Sequence, residues 1–488
     1  MTPRPSYLAL ASALLCLGAF APFNAVPLLF VCLAPLLIRL GEPGVRSFRC
    51  GYGFGIVFGL GQFFWLTQLA YRWTGSFVLA LVPLVLATVL YAIYFGLIGW
   101  LVQRCWLLRM PWLIPLVWAG VEAFRSYIPV LAFPWGLLAS PLWHYPALMQ
   151  SAHWLTIFGA SAFVVLVNTA LAVWYRERSF AAVRPLIAGI AVVALVPVAA
   201  EWIPVNTTPL RVTAGQPGVD LAFGDPKTNK LAVEFNVAQI QEQARNEKSQ
   251  LLVLPEGLIH TPSTMPPKIP FTVSSSLPIV FGGQRGDEPA YQSAFAYDGA
   301  WSVADKTRLV IFGEFVPGRN VIPFLDQFHL PTGDISAGTR VSSLTVNQTI
   351  VGPLVCFEGL FPDLGYRQTL NGAQVLAVMS MDDWFMGSNA PDQLRAGSVW
   401  RAVETGRPVI RAASTGFSLI VDRFGNVLGD APTQTTSAIT REIQITSGGA
   451  PWWLPVFPLL SVAVCLGLIA FPVLVKSTRK PASSAATS

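Results

Sequence analysis

The sequence predicts a multi-pass bundle of membrane-spanning α-helices joined to one α/β domain. Long apolar runs crowd into residues 6–204 and 452–475, while the stretch 205–450 alternates strand-like and helix-like segments of ordinary polarity. Over the whole chain 53% of the residues are hydrophobic and 12% are charged, whereas soluble domains carry about 25% charged residues. An ordinary soluble protein is therefore excluded.

Eight apolar runs approach the length of about 20 residues that a helix needs to cross a bilayer. They lie at 6–22, 25–40, 51–70, 77–102, 110–124, 149–174, 185–203 and 452–475. The first run has the length of a signal peptide, but the second follows it within a few residues. This spacing favours a retained helix over a cleaved leader.

The Lys and Arg residues of the short loops predict the orientation, because cytoplasmic loops are enriched in them. Alternate loops carry Arg4; Arg39, Arg46 and Arg49; Arg104 and Arg109; Arg176, Arg178 and Arg184; and Lys476, Arg479 and Lys480. The intervening loops carry little beyond Arg72 and Arg125. Both termini are then cytoplasmic, and the α/β domain lies outside the cytoplasm. The net charge of the chain is +6. Many of its basic residues lie in the short loops that set the membrane orientation, so no nucleic-acid partner is expected.

These features divide the chain into four predicted units. They are a membrane domain of seven helices at 1–204, an outer catalytic domain at 205–450, an eighth membrane helix at 451–475 and a cytoplasmic tail at 476–488. The segment 125–148 is apolar and aromatic, but its four prolines forbid a long regular helix. Two interpretations are open and can both hold. The segment is an interfacial connection anchored by Trp135 and Trp143, or it is a membrane-embedded wall of a lipid-entry site.

The cysteines and histidines narrow the chemistry of the outer domain. Of six cysteines only Cys356 belongs to that domain, and a single cysteine is more often a packing residue than a nucleophile. The four histidines show no zinc-binding spacing, and no phosphate-binding loop or serine-nucleophile motif occurs. We therefore expect neither a metal nor an organic cofactor.

Three polar residues follow buried strand-like runs of the outer domain. Glu256 follows the run LLVLP. Burial there would raise the proton affinity of its carboxylate, which makes it a better acceptor of a proton from a neighbouring group. Lys306 ends the second strand of a hairpin predicted at 294–306. Cys356 follows another run, on a turn predicted to be partly exposed, where a nearby cation would favour the thiolate. Taken singly, each residue has an equally good structural explanation.

The remaining pattern of the outer domain completes an α/β arrangement. A strand predicted at 375–380 is followed by the sequence DDWF. A helix is predicted at 391–405, with Pro391 in its first turn and Gly406 at its C-terminal cap.

The order of these residues resembles a known family. Glu256 in LPEG, Lys306 in DKTRLVIFGEFVP and Cys356 in VCFEG are similar to the Glu–Lys–Cys set of the nitrilase, or carbon-nitrogen hydrolase, superfamily. With the helices included, the chain resembles the apolipoprotein N-acyltransferase family. Further motifs that carry the resemblance are Ala21-Pro22-Phe23, Phe63-Phe64-Trp65, Phe133-Pro134-Trp135 and the stretch 401–418. Departures from the family pattern stand at Ala304, Ile311, Phe357 and Leu394.

The resemblance implies an αββα sandwich and a two-step acyl transfer in a bacterial inner membrane. Cys356 would attack an ester of a phospholipid acyl donor while Glu256 accepts the thiol proton. The thioester would then acylate the α-amino group of the diacylglyceryl-cysteine at the N-terminus of an apolipoprotein, among the surrounding membrane lipids. Lys306 and the Phe357 N–H would hold the oxyanion.

The same resemblance implies roles for further residues. Glu314 and Glu358 would be supporting carboxylates that orient Lys306 and the substrate amine. Phe315, at the start of an aromatic arm at 315–332, and Trp384 would lie near the acyl chain, and Trp135 would contact lipid.

Two other functions stay open on the sequence. A membrane-anchored amidase of the nitrilase type would use water as the acceptor. A non-catalytic membrane receptor would keep a nitrilase-like domain without its reaction, although the retention of Glu256, Lys306 and Cys356 argues against it.

Overall fold

The structure is a computed structural model that describes residues 7–129, 131–200, 205–319, 330, 333–448 and 451–471. The predicted tail at 476–488 lies outside the described residues, as does most of the aromatic arm that begins at Phe315.

The N-terminal part of the chain is helical. Its helices are α1 (Tyr7–Ala19), α2 (Ala34–Leu40), α3 (Ser47–Thr74), α4 (Phe77–Leu107), α5 (Ile114–Tyr127), α6 (Ala152–Glu177) and α7 (Phe180–Ala200). Among the described residues, α3, α4 and α6 are both long enough and apolar enough to cross a membrane. The other apolar helices are shorter.

The apolar run predicted as a membrane span at 25–40 is not one regular α-helix. The run divides into a 3-10 turn, Val26–Phe30, and the short helix α2. Pro27 and Pro35 each stand in the first turn of one of these segments. Proline is tolerated there but breaks a helix interior, because it lacks an N–H and its ring meets the preceding turn.

The segment between α5 and α6 is irregular, as its prolines predict. It contains the 3-10 turns Ser140–His144 and Pro146–Leu148. Helix α6 itself is kinked at Thr156, where φ is 61° and ψ is 178°.

Two mixed sheets form the outer domain. The first has the order β13-β1-β2-β4-β5-β6, with β3 beside β4, and the second has the order β12-β11-β10-β9-β8-β7. Their strands are β1 (Thr207–Gln216), β2 (Leu251–Val253), β3 (His260–Thr261), β4 (Ile279–Arg285), β5 (Tyr291–Tyr297), β6 (Trp301–Asp305), β7 (Leu344–Val346), β8 (Thr349–Val355), β9 (Val375–Ser380), β10 (Val409–Ala413), β11 (Leu419–Val421), β12 (Val427–Asp430) and β13 (Ser437–Thr446). The helices are α8 (Pro226–Asn246), α9 (Pro362–Leu370) and α10 (Ala390–Thr405), and α11 (Val456–Ala470) follows the domain.

The two sheets pack face to face, with helices on both outer faces. Val212 and Val280 of the first sheet share an apolar core with Val355 and Ile410 of the second. Helix α8 covers the outer face of the first sheet. Helices α9 and α10 cover the outer face of the second. This is the α/β sandwich that the resemblance implied.

Helix α10 also packs against the membrane bundle, so the two parts share one core. Trp400 of α10 donates a hydrogen bond to the carbonyl of Ser140 at 3.1 Å. Glu404 of α10 accepts the N–H of Ile157 at 2.7 Å, immediately after the kink of α6. The α/β domain is therefore held directly on the helices.

Candidate active site

The ends of strands from both sheets bring Glu256, Lys306 and Cys356 together. Glu256 follows β2 and Lys306 follows β6 in the first sheet, while Cys356 follows β8 in the second. The Lys306 Nζ atom lies 3.8 Å from Glu256 Oε1. Cys356 is close enough to both residues for their charges to affect the pKa of its thiol. An acid–base group, an ammonium and a sulfur thus meet where the two sheets face each other.

Cys356 lies in an unusual backbone conformation. Its φ is 56°, in the left-handed region that non-glycine residues rarely adopt. It begins a 3-10 turn, Cys356–Leu360, directly after β8. The prediction that this cysteine is partly exposed is wrong: only 8% of its surface is accessible, because it lies in the apolar core between the two sheets.

Two further carboxylates hold the site in shape. Lys306 Nζ donates to Glu314 Oε1 at 2.6 Å, and the other oxygen of Glu314 accepts the N–H of Val310 at 2.8 Å. Glu314 therefore fixes the position of the ammonium.

Glu358 joins the strand ends that carry Lys306 and Cys356. Its Oε1 atom accepts the N–H groups of Thr307 at 2.8 Å and Arg308 at 3.0 Å, together with the Thr307 hydroxyl at 3.0 Å. Its Oε2 atom accepts the N–H of Val355 at 2.9 Å. One buried side chain thus ties the residues after Lys306 to the residue before Cys356.

Burial and mutual charge set the protonation of the site. Burial raises the pKa of the Glu256 carboxyl to about 7, and Lys306 opposes this shift. Burial, reinforced by Glu256, raises the pKa of the Cys356 thiol well above its usual range. Burial alone would lower the pKa of Lys306, but Glu314 and Glu256 raise it above its ordinary value. At neutral pH the thiol is protonated, the ammonium is charged, and Glu256 is close to its midpoint.

A buried ion pair behind the sulfur was not found from the sequence. The Ser380 hydroxyl lies 3.7 Å from Cys356 Sγ and 2.6 Å from Asp382 Oδ1. Arg411 Nη2 lies 2.8 Å from the same Asp382 oxygen. One feature of the sequence could have indicated it: Arg411 is a charged residue in the middle of the buried strand β10, and a buried charge needs a partner.

Aromatic rings of the membrane part lie against the residue that follows the cysteine. The Phe357 ring stacks on Phe133 at 5.5 Å between centroids and on Trp135 at 6.2 Å. Trp135 in turn contacts Trp65 of α3 at 5.0 Å. The predicted lipid contact Trp135 therefore lies against Phe357, the residue after Cys356, in a segment that belongs to the bundle.

The other two predicted lipid contacts lie elsewhere. Trp384 stacks on Trp73 at 5.5 Å and meets Phe223 edge-on at 5.3 Å, at the end of α3. Phe315 is half-buried in the turn beside Glu314, and the arm that it begins lies mostly outside the described residues. The structure therefore brings only Trp135 against the turn that carries Cys356.

A cavity of about 430 Å³ opens at the end of α3, beside the loop that follows β9. Its lining consists of Arg72, Gly218, Asp220, Met386, Gly387, Thr415 and Gln434. Arg72 bridges the two parts: it donates to the carbonyl of Asp383 at 2.7 Å and pairs with Asp220 at 3.1 Å. Burial raises the pKa of the Asp383 carboxyl to about 7.

The site can perform nucleophilic acyl chemistry with its own side chains. A buried carboxylate is placed to take the thiol proton, and a fixed ammonium is placed beside the sulfur, where negative charge develops on a carbonyl oxygen. Among the described residues no group of three His, Cys, Asp or Glu side chains is placed to hold a metal ion.

Comparison with known proteins relates each part of the chain to a family. Residues 12–170 match the family described as the apolipoprotein N-acyltransferase N-terminal domain, and residues 290–450 match the carbon-nitrogen hydrolase family.

Relatives over nearly the full length carry one name. A protein of Geobacter metallireducens named apolipoprotein N-acyltransferase is 28% identical over 475 residues, which cover 91% of each chain. A protein of the same name from Pseudomonas aeruginosa is 29% identical and covers 93% of each chain. Among solved structures, Saccharomyces cerevisiae Nit3 of the nitrilase superfamily covers 49% of this chain and 90% of its own, with 17% identity and a TM-score of 0.36.

Proposed function

Since the chain belongs to the apolipoprotein N-acyltransferase family, we propose that it moves a fatty acyl chain from a phospholipid to an apolipoprotein. The acceptor is the α-amino group of the N-terminal diacylglyceryl-cysteine, and the acyl chain passes through a thioester on Cys356. The observation that carries this proposal is the buried Glu256–Lys306–Cys356 set, closed on one side by rings of the membrane part. A soluble substrate would not require such a wall.

In the first step the Cys356 sulfur attacks the ester carbonyl of the phospholipid. The thiol proton passes to Glu256, whose pKa near 7 suits a proton acceptor at neutral pH. Lys306 and the Phe357 N–H hold the oxyanion. The carbon–oxygen bond breaks, Glu256 returns the proton to the leaving glycerol oxygen, and a lysophospholipid departs from the thioester.

In the second step the acceptor amine attacks the thioester carbonyl. Its proton passes to Glu256, the carbon–sulfur bond breaks, and the proton returns to Cys356 as the amide leaves. Glu314 keeps Lys306 in place through both steps, and Glu358 maintains the spacing of Lys306 and Cys356. Trp135, Phe315 and Trp384 contact the lipid chains.

The topology that goes with this function has eight membrane spans, both termini in the cytoplasm and the catalytic domain in the periplasm of a bacterial cell. Its units are 1–204, 205–450, 451–475 and 476–488. The loop charges support this orientation. The packing of α10 and Phe357 against the membrane part adds that the site lies next to the helices.

The thioester is tested by measuring the intact mass of the purified protein after exposure to phospholipid vesicles. We expect a gain of one acyl chain, absent in Cys356→Ala and retained in the matched control Cys50→Ala, which removes a half-buried thiol of α3. A diacylated lipopeptide should then discharge the adduct and gain one amide-linked chain. Release of free fatty acid without acylated peptide would favour the water-using amidase. No adduct with any phospholipid would favour the receptor.

A further inference from the structure

Two basic residues, Arg72 and Arg125, break the loop-charge pattern, and Arg72 contacts the catalytic domain directly. Arg125 is the more buried of the two, with 3% of its surface exposed at the C-terminal end of α5. Burying an ionised side chain is costly unless its charge is satisfied, so a buried arginine points to a structural or functional role. The contacts of Arg125 supply one.

The guanidinium of Arg125 grips the irregular loop that follows α5. It donates to the carbonyl oxygens of Phe133 at 2.8 Å, Trp135 at 2.7 Å and Gly136 at 3.4 Å. Tyr91 of α4 approaches the last two carbonyls from the other side, with its hydroxyl 3.2 Å and 3.1 Å away. A planar guanidinium can hold several oxygens in one fixed geometry, which a lysine cannot do.

The loop held by Arg125 carries two aromatic rings that stack on Phe357, the residue after the proposed nucleophile. Phe133, Trp135 and Phe357 form a parallel stack, with interplanar angles of 28° between Phe133 and Phe357 and 9° between Trp135 and Phe357. Phe357 directly follows Cys356, whose left-handed φ of 56° persists only where the surroundings hold it.

We propose that Arg125 is a positioning residue for the acyl transfer, acting through the Phe133–Trp135–Phe357 stack on the Cys356 turn. The inference rests on the proposed function. It means that the membrane helices take part in aligning the sulfur and the Phe357 N–H, in addition to admitting lipid. The loop between α5 and α6 is then a support for the nucleophile.

The experiment measures the rate of acyl-enzyme formation by intact mass over a range of phospholipid concentrations. We expect Arg125→Gln to lower the rate at saturating lipid by a factor on the order of 10 to 100, since each hydrogen bond from a charged donor is worth about tenfold or more. The half-saturating lipid concentration should change little. Arg125→Lys should recover part of the rate. Tyr91→Phe, which removes only a hydroxyl, should give a smaller loss of the same kind.

A double-mutant cycle separates positioning from general stability. If Arg125 acts through the stack, Arg125→Gln combined with Phe357→Leu is little slower than the slower single variant. The matched control is Arg176→Gln, which removes a guanidinium that lies 4.9 Å from the Trp106 ring and donates to a carbonyl of α2 far from the stack. It should leave the rate unchanged.

Three results would overturn the inference, and a fourth would overturn the proposed function instead. Independent, multiplying losses in the double variant would overturn it, as would a wild-type rate in Arg125→Gln. A loss confined to the half-saturating concentration would also overturn it, because that result makes the loop a lipid-binding element only. Absence of any adduct in the wild type would instead overturn the proposed function.

Discussion

Replacing Glu358 tests whether one buried carboxylate holds the two halves of the site together. The Glu358→Ala variant removes the acceptor of three backbone N–H groups, those of Thr307, Arg308 and Val355. Leaving a buried donor unsatisfied costs about 1–3 kcal/mol, so the three together cost about 3–9 kcal/mol. Because whole domains are stable by only about 5–15 kcal/mol, we expect the catalytic domain of Glu358→Ala to lose a large part of its stability and to melt well below the wild type.

The Glu358→Gln variant should behave differently. The amide oxygen of the glutamine can still accept the N–H groups of Thr307 and Arg308. Its NH₂ group would face the N–H of Val355, and two donors cannot form a hydrogen bond. One hydrogen bond is lost, at a cost of about 1–3 kcal/mol, and the melting temperature falls by about 2–4 °C for each kcal/mol in a domain of this size. The Glu358→Gln protein should therefore fold but form the acyl-enzyme slowly.

The assay is thermal unfolding of the full-length protein in detergent, followed by circular dichroism, with acyl-enzyme formation measured on the same samples. Glu234→Ala on α8 is the matched control, since it removes an exposed carboxylate from the same domain. A Glu358→Ala protein that melts with the wild type would refute the reasoning. Such a result would mean that the strand ends are held by contacts other than this carboxylate.

Two further predictions concern Glu256. Only the ionised carboxylate accepts a proton, and the pKa of Glu256 is raised to about 7. The rate of acyl-enzyme formation should therefore fall as the pH drops below about 7 and level off above it. A flat profile from about pH 5.5 to 8.5 contradicts this role. In Gly282→Ala the new Cβ would lie 2.7 Å from Glu256 Cα, so the backbone must shift at a cost of about 1–3 kcal/mol and acyl-enzyme formation should slow. Gly53→Ala, where the added Cβ has open space, should show neither change, and equal rates in both variants would contradict the prediction for Gly282.

Local patterns predicted much of the secondary structure of the outer domain. The hairpin around Asp298-Gly299, the strand β9 and the helix α10 are confirmed, the last with Pro391 in its first turn and Gly406 at its C-terminal cap. These features depend on residues that are neighbours in the chain. The broken helix at 25–40 was missed because the apolar composition of that run outweighed its two prolines in the prediction.

The positions of the site residues at strand ends could be predicted, since buried runs indicate where strands stop. Their grouping into one site was implied only by the family resemblance. The roles of Glu256, Lys306 and Cys356 remain proposals that the described geometry supports. The buried ion pair of Asp382 and Arg411 could not be assigned, because Asp382 follows β9 and Arg411 lies within β10, and nothing local to either residue indicates that the two side chains meet.

The sequence by itself determined a membrane bundle with an α/β domain and the order of Glu256, Lys306 and Cys356, since apolar periodicity and strand-end residues are local properties of the chain. Only the tertiary structure decided that Cys356 is buried rather than partly exposed, and that Arg125 reaches the Cys356 turn through three stacked rings. The physical reason is that burial and ring stacking depend on which distant segments pack together. That packing is created when α10 and the α5–α6 loop meet between the bundle and the second sheet.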